Sequence, residues 1–487
     1  MKNSHPNPRP RARHQTIGLF VGLTAAVVLL VLPPPEGLSE AGWRTAALGI
    51  LMGIWWATEA LPAAVTALLP LAAFPVLGIS DIKTVSAPYS HPTIYLFLGG
   101  FMVALAVQRW NLHERIALNI VAAFGGTGAS IIGGFMLASA LISMWMTNTS
   151  TTMMLLPIAT SVVLVVQQNL PESRDARERF PVAMLLGVAY GATIGGVATL
   201  IGTPPNAFMA GFLMDNYGIA VDFAEWMLVG VPLTACLLPL SWWLLTHRLY
   251  PVRFSTSGEV REHLRELLRA LGPMTVPEKR VAIVFFCLAG AWMSRPLLSR
   301  LAPGLSDTGL AMMAAIALFF IPSGAQESPV LMRWQDTRDL PWGLLLLFGG
   351  GLSLAATVSN TGLAEWLGKA VVGLNLGHQA ILVIVVATTI IFLTELTSNL
   401  ATTATFLPVF AAVAAEAGQA PITLAAPVAL AASCAFMLPV ATPPNAVVYG
   451  SGLLTIPQMV RAGFWLNIVS IFLVSLVALT LAPAVLG

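Results

Sequence analysis

Apolar residues recur along this chain in runs long enough to span a bilayer, separated by short polar stretches. The runs cover Thr16 to Leu32 and residues 43-60, 62-79, 91-110, 181-215, 223-247, 280-298, 307-323, 340-358, 420-455 and 463-486. A membrane core takes ~20 apolar residues per helix, so about eleven transmembrane helices are expected. Two further stretches, 127-167 and 377-415, uncharged except for Glu395, run to roughly forty residues each. Both carry a polar cluster near the middle, Asn148-Thr149-Ser150-Thr151-Thr152 and Ser398-Asn399-Leu400-Ala401-Thr402-Thr403, with a proline soon after. We read them as re-entrant hairpins. Two full antiparallel spans with the polar turn at the far surface would satisfy the same periodicity.

Composition places the chain in lipid. Of its 487 residues, 57% are apolar and 9% charged, against about 25% charged in soluble domains, which leaves no room for a large soluble domain. The basic residues sit in short loops and form no stripe that tracks phosphates, which argues against nucleic acid. Cys236, Cys287 and Cys434 stand singly in apolar runs, without the spacing of a metal site or a disulfide framework, and are read as packing residues.

The first run follows Lys2, Arg9, Arg11 and Arg13 and is followed by Pro33-Pro34-Pro35-Glu36, not by a small-residue cleavage site. It is read as a retained helix with a cytoplasmic N-terminus. With both hairpins re-entrant, Arg174, Arg177, Arg179, Arg248, Arg253, Arg261, Arg265, Arg269, Lys279, Arg280, Arg333, Arg338 and Arg461 then fall inside. Lys83, Arg300 and Lys369 fall outside, so the positive-inside rule is obeyed and the C-terminus faces the periplasm. Residues 249-279 are expected to hold an amphipathic cytoplasmic or interfacial helix.

The two halves repeat. At an offset of 251, Gly99-Gly100 falls on Gly350-Gly351, Leu112 on Leu363, Glu114 on Glu365, Asn148 on Asn399, Thr151-Thr152 on Thr402-Thr403 and Pro157 on Pro408. At an offset of 239, Thr203-Pro204-Pro205-Asn206 falls on Thr442-Pro443-Pro444-Asn445, the difference being taken up by the charged loop 170-180. Five spans and one hairpin per half make the second copy enter from the opposite face, an inverted repeat suited to alternating access.

Non-helical backbone survives in a bilayer only where it is buried in protein or lines a wet cavity. Pro-Pro cannot sit in a helix interior, so 181-215 and 420-455 are expected to break at Gly202-Thr203-Pro204-Pro205-Asn206 and Ala441-Thr442-Pro443-Pro444-Asn445. Carbonyls freed there suit a hard cation such as sodium. Opposite them the hairpin tips present Ser143, Thr147, Asn148 and Thr149, and Thr394, Thr397, Ser398 and Asn399, with helix N-termini that offer amides to an anion. A lone Ser, Thr or Asn in a membrane helix is usually interhelical glue; four matched breaks favour a site. No Arg or Lys lies near the tips, so an entering di-anion takes its compensating charge from cations and helix dipoles. Cation binding before substrate follows, with coupling through differential affinity. Glu395 beside the second tip is either a proton-coupling group or a partner for backbone amides. Glu59 is read as structural, at a turn, and His91 as a capping residue before Pro92.

These motifs, and above all Ala432-Ser433-Cys434-Ala435-Phe436-Met437-Leu438-Pro439-Val440-Ala441-Thr442-Pro443-Pro444-Asn445-Ala446-Val447-Val448, resemble the divalent anion/sodium symporters, over nearly the whole chain. The resemblance implies an all-α polytopic membrane protein of elevator type, working as a homodimer in a bacterial inner membrane. Its scaffold would comprise 1-125 and 280-375, its transport domain 126-248 and 376-487, with 249-279 as linker. By similarity one sodium site maps to Ser143, Thr147, Asn148 and Gly202, and another to Thr394, Thr397, Asn399 and Ala441. The substrate, a small di-anion of which C4-dicarboxylates are the leading choice, would meet Thr147, Asn148, Thr149, Ser398, Asn399, Thr442 and Pro443. Thr147 stands where the family usually has Ser and keeps the hydroxyl; Leu400 stands where it often has Thr and removes one. A sodium-independent dicarboxylate exchanger and a sulfate or citrate symporter are the alternatives within the family. An anion channel would need charged rings or a carbonyl filter, and an enzyme a nucleophile with its base or a metal cluster; neither is present at the repeated breaks.

Overall fold

The computed structural model describes residues 12-170, 173-255, 258-372 and 378-486, so Lys2, Arg9 and Arg11 lie outside the described residues. The first half runs α1 (Arg13–Val31), α2 (Glu40–Thr58), α3 (Ala63–Thr66), α4 (Leu69–Val76), α5 (Ile82–Ser86), α6 (Pro92–Arg109), α7 (Leu112–Ala123), α8 (Gly128–Ser143), α9 (Asn148–Asn169), α10 (Phe180–Val197), α11 (Pro204–Tyr217) and α12 (Phe223–Trp243). After α13 (Gly258–Ala270), the second runs α14 (Val276–Leu301), α15 (Asp307–Phe320), α16 (Trp342–Asn360), α17 (Leu363–Val372), α18 (Gln379–Thr394), α19 (Asn399–Glu416), α20 (Ile422–Ala432), α21 (Pro443–Tyr449), α22 (Ile456–Leu479) and α23 (Leu481–Leu486). A short antiparallel pair, β1 (Pro322–Ala325) and β2 (Ser328–Val330), joins α15 to α16 in the register Pro322 to Val330 and Ala325 to Ser328. The sequence pattern gave no sign of it.

The chain is an all-α multi-pass membrane protein. Among the described residues, nine helical segments are long and apolar enough to cross a membrane. Two of them, α9 and α19, are the long arms of the expected hairpins. Of the eleven expected spans, seven are among the nine, the 43-60 run falls on α2, which has 19 residues but is not among them, and three are shorter pieces. The 62-79 run divides into α3 and α4, with Pro62 and Pro70 at the helix starts; α15 has 14 residues before the chain turns into β1; and 420-455 is broken between α20 and α21.

Element boundaries keep the repeat. At the offset of 251, the starts of α7 and α17, both ends of α8 and α18, and the starts of α9 and α19 coincide. Asn111 and Gly362, one residue before α7 and α17, both take left-handed backbone, with φ of 55° and 77°. That conformation suits Gly without strain and Asn better than most side chains, so one sharp turn is built twice.

Each half packs its two hairpin arms against the helix before its break: α8 and α9 against α10, α18 and α19 against α20. Every residue of α10 is buried. Gly187, Gly191 and Gly195 recur every fourth residue along it, and a Cβ at Gly195 would stand 2.2 Å from the Ala140 carbonyl oxygen. Small residues at this spacing let backbones approach closely where lipid supplies little hydrophobic drive. Across the halves, α9 packs on α21 and α11 on α19, so each long arm meets the short helix beyond the other half's break.

The 249-279 segment holds α13 as an amphipathic helix. Val260 and Leu264 are buried while Arg261, Arg265 and Arg269 are exposed, and the helix packs on α7 and α9. Of the three cysteines, all free, Cys434 is buried and fits the packing reading, whereas Cys236 and Cys287 are exposed. Glu59 is exposed and ends α2 in left-handed backbone, as a turn residue should.

Candidate substrate and cation site

Neither Pro-Pro pair lies in a gap. Pro204 and Pro443 are the first residues of α11 and α21, where a missing amide costs nothing and the fixed φ favours the helix. The gaps lie before them. The first runs over 198-203 and the second over 433-442, so both begin earlier than the Pro-Pro motif alone indicates.

At the first tip, α8 ends at Ser143 and α9 begins at Asn148. One terminal atom of the Asn148 amide lies 2.6 Å from Ser143 Oγ, 3.2 Å from the Ala192 carbonyl oxygen and 3.3 Å from that of Gly202. All three neighbours are oxygens. With its nitrogen turned inward the amide donates to the carbonyls; with its oxygen inward, four oxygens face one another, the donor set of a hard cation. A Cβ at Gly196 would lie 2.5 Å from Asn148 Oδ1, and one at Gly202 would lie 2.4 Å from the Gly196 oxygen, so this cluster forms only with glycine at both positions. Thr147 is placed differently. Its hydroxyl donates to Ser150 Oγ at 2.9 Å and accepts from the Ser150 amide, capping α9.

The second tip repeats the pairing. Thr394 Oγ1 is 3.0 Å from Asn399 Oδ1 and also 3.0 Å from the Ala432 carbonyl oxygen. Thr152 Oγ1 donates to the Asn148 carbonyl and Thr403 Oγ1 to that of Asn399, each at 2.8 Å. Beyond the breaks, Asn206 Nδ2 donates to the Thr199 carbonyl at 2.8 Å and Asn445 Nδ2 to that of Leu438 at 3.0 Å, donors and acceptors alike related by the offset of 239. Thr397 bonds to the Leu393 carbonyl and the Thr402 hydroxyl, and Thr442 caps α21 at the Asn445 amide. Ser398 and Pro443 are exposed, Thr149 is half-buried, and Ala441 and Leu400 are buried. Leu400 is therefore packed away where Thr149, its mate at the offset of 251, is half-buried.

Glu395 turns out to be an amide partner. Its Oε1 accepts from the Phe436 and Met437 amides and from Asn467 Nδ2, and its Oε2 from the Met437 and Leu438 amides, at 2.7 to 3.1 Å. The carboxylate thus holds the middle of the second gap in shape, as an anion hydrogen-bonded by several amides can when buried.

Three residues absent from the sequence reading tie the site together. Thr199 Oγ1 donates to the Met144 carbonyl of the first tip and accepts from the Gly202 amide. Tyr190 Oη on α10 donates to the Phe436 carbonyl, joining the halves at 2.9 Å. Asn467 on α22 braces Glu395. Single polar residues in apolar runs give no local signal, although a buried acid such as Glu395 signals that donors must surround it. His91 caps the Thr93 amide through Nδ1, as expected, and also places Nε2 3.1 Å from Asp215 Oδ1.

Among the described residues no ion pair involves a tip or a gap, and no group of three or more His, Cys, Asp or Glu is placed to hold a metal. Two paired clusters of hydroxyl, amide and carbonyl oxygens, held on helix ends by broken transmembrane helices, define a multi-pass secondary carrier rather than an enzyme.

Comparison with known proteins agrees. Residues 13–486 match the family model described as the sodium:sulfate symporter transmembrane region, and the chain belongs to that family. It is 39% identical over 482 residues to the sodium-dependent dicarboxylate transporter SdcS of Staphylococcus saprophyticus, covering 97% of this chain and 92% of that one. It is 37% identical over 487 residues to SdcS of Staphylococcus aureus, covering 98% and 93%. Among solved structures, the Alcanivorax borkumensis YdaH transporter superposes with a TM-score of 0.58 at 13% identity, over 96% of both chains. Neisseria gonorrhoeae MtrF superposes at 0.57 and 14% identity, over 96% of this chain and 95% of the other. At such identities these two support the fold alone.

Proposed function

We propose that this carrier is a sodium-coupled symporter of small di-anions, with C4-dicarboxylates such as succinate, malate and fumarate as its substrates. The observation that carries the reading is the doubled oxygen cluster, Ser143 with Asn148 against Gly202 and Thr394 with Asn399 near Ala432. The kinship with SdcS, named a sodium-dependent dicarboxylate transporter, supports it. One sodium ion would be held by Ser143, Asn148 and Gly202 with the Ala192 carbonyl added; Thr147, engaged in capping α9, would contribute by shaping the tip. The second would lie at Thr394, Thr397, Asn399 and Ala441. The di-anion would sit between the tips, touching Thr147, Asn148, Thr149, Ser398, Asn399, Thr442 and Pro443.

Coupling follows from the Asn148 amide. Without a cation its nitrogen satisfies the surrounding carbonyls; with sodium present its oxygen turns inward and the nitrogen is freed for a carboxylate. Substrate then binds well only after the cation, which is coupling by differential affinity. Transport would proceed in an inner-membrane homodimer by an elevator movement of 126-248 and 376-487 against 1-125 and 280-375, with 249-279 as linker, the N-terminus inside and the C-terminus outside.

The test is uptake of labelled succinate into proteoliposomes with and without an inward sodium gradient. Uptake that requires sodium is the expected result. Uptake that ignores sodium but needs internal dicarboxylate would instead make the protein an exchanger. Sodium-driven uptake of sulfate in place of succinate would move the substrate to the anion named in the family description.

A further inference from the structure

A cavity of about 540 Å³ opens beside the first hairpin, between α6, α7, α9 and α13. Gln108, His113, Glu114 and Leu118 line one wall, Leu271 closes it from the α13 side, and Ser150 lies opposite on α9. Ser150 bonds directly to Thr147 of the first tip, so the cavity reaches the edge of the candidate site.

Its charge is negative. Glu114 is half-buried and makes no ion pair or side-chain hydrogen bond among the described residues. The neighbouring cations are committed elsewhere, Arg109 to Asp336 and Arg115 to Glu278 and the Leu271 and Gly272 carbonyls. Burial pushes His113 down to about 4, so it is neutral at physiological pH. Comparison of the halves sharpens the point. Glu365, the repeat mate of Glu114, pairs with Lys369 one turn on, whereas the position matching Lys369 is Leu118, inside the cavity. A structural acid in the first turn of a helix needs no partner, but it need not face a cavity whose lining carries no cation either.

We propose that this cavity is a cation vestibule, in which Glu114 concentrates sodium next to the first hairpin tip, while the di-anion reaches the site by another route. A cleft lined by one sign of charge raises the local concentration of the opposite ion. The proposal rests on the sodium-coupled reading above. Glu114 acts on the ion's approach and is a positioning residue, not a ligand of the transported sodium.

The experiment is exchange of labelled for unlabelled succinate in proteoliposomes, with equal sodium on both sides so that the face on which the cavity opens does not matter. Glu114→Gln should raise the sodium concentration for half-maximal exchange at least about threefold and leave the succinate KM at saturating sodium unchanged. Glu114→Asp should restore most of the sodium response, and added choline chloride should shrink the difference by screening. An unchanged sodium response in Glu114→Gln, with the wild type sodium-dependent, overturns this inference alone. A lower succinate KM in the variant overturns it too, because the cavity would then be the route of the di-anion. Wild-type exchange that ignores sodium overturns this inference together with the coupled reading.

Discussion

Replacing Glu395 by glutamine tests whether that buried acid is a structural anchor. The side chain is 3% exposed and accepts from three backbone amides and the Asn467 amide. Glutamine keeps the shape but turns one acceptor oxygen into an NH2 group. If that group takes the Oε2 position it faces the Met437 and Leu438 amides; in the other orientation it faces Phe436, Met437 and Asn467. Met437 keeps one oxygen in either case, so the first orientation leaves Leu438 without its acceptor and the second leaves Phe436 and Asn467 without theirs, at ~1 to 3 kcal/mol for each donor. A total of about 1 to 6 kcal/mol, at 1.4 kcal/mol per tenfold, depletes the ordered gap by at least about fivefold. Because Leu438 also accepts from Asn445, disorder of the gap reaches the start of α21. The expected outcome is a lower thermal unfolding midpoint in detergent together with loss of sodium-driven succinate uptake, both insensitive to pH between about 6 and 8. An unchanged midpoint with uptake retained but no longer responsive to a proton gradient would refute the reasoning and make Glu395 a proton-coupling group.

Gly196→Ala places a methyl group 2.5 Å from Asn148 Oδ1, so it should raise the sodium requirement of uptake at least about tenfold, measured as half-maximal sodium at fixed succinate. Thr199→Val removes the hydroxyl between the first tip and the Gly202 amide and should cost about 1 to 3 kcal/mol, read as a lower unfolding midpoint that Thr199→Ser restores. Tyr190→Phe deletes one buried bond between the halves and should cost about 1 kcal/mol, a small fall in the midpoint with the sodium response intact.

The repeat was legible because matched residues are the ones that turn the chain: Asn148 and Asn399 start the long hairpin arms, and Pro204 and Pro443 start the helices beyond the gaps. The tip clusters followed from polar residues in segments whose one charged residue is Glu395. The length of the second gap was not legible, since Ser433 to Leu438 reads as an ordinary apolar run and leaves the helix where Glu395, about forty residues earlier, takes up its amides. The roles of Thr199, Tyr190 and Asn467 were hidden for the same reason, as each bonds to backbone that only the fold brings near. Thr147 shows the opposite case. Its residue type invites a place among cation ligands, and the fold adds a task the sequence did not display, since at the N-cap of α9 its oxygen also accepts from the Ser150 amide.

The central claim is that two matched asparagines hold the cation and substrate sites. The most direct measurement is sodium-dependent succinate uptake by Asn148→Ala and Asn399→Ala in proteoliposomes, each with protein amount and unfolding midpoint recorded. Loss of sodium-driven uptake in both variants, with folded protein present, is the predicted result. Uptake with unchanged sodium dependence in either variant would contradict the paired site.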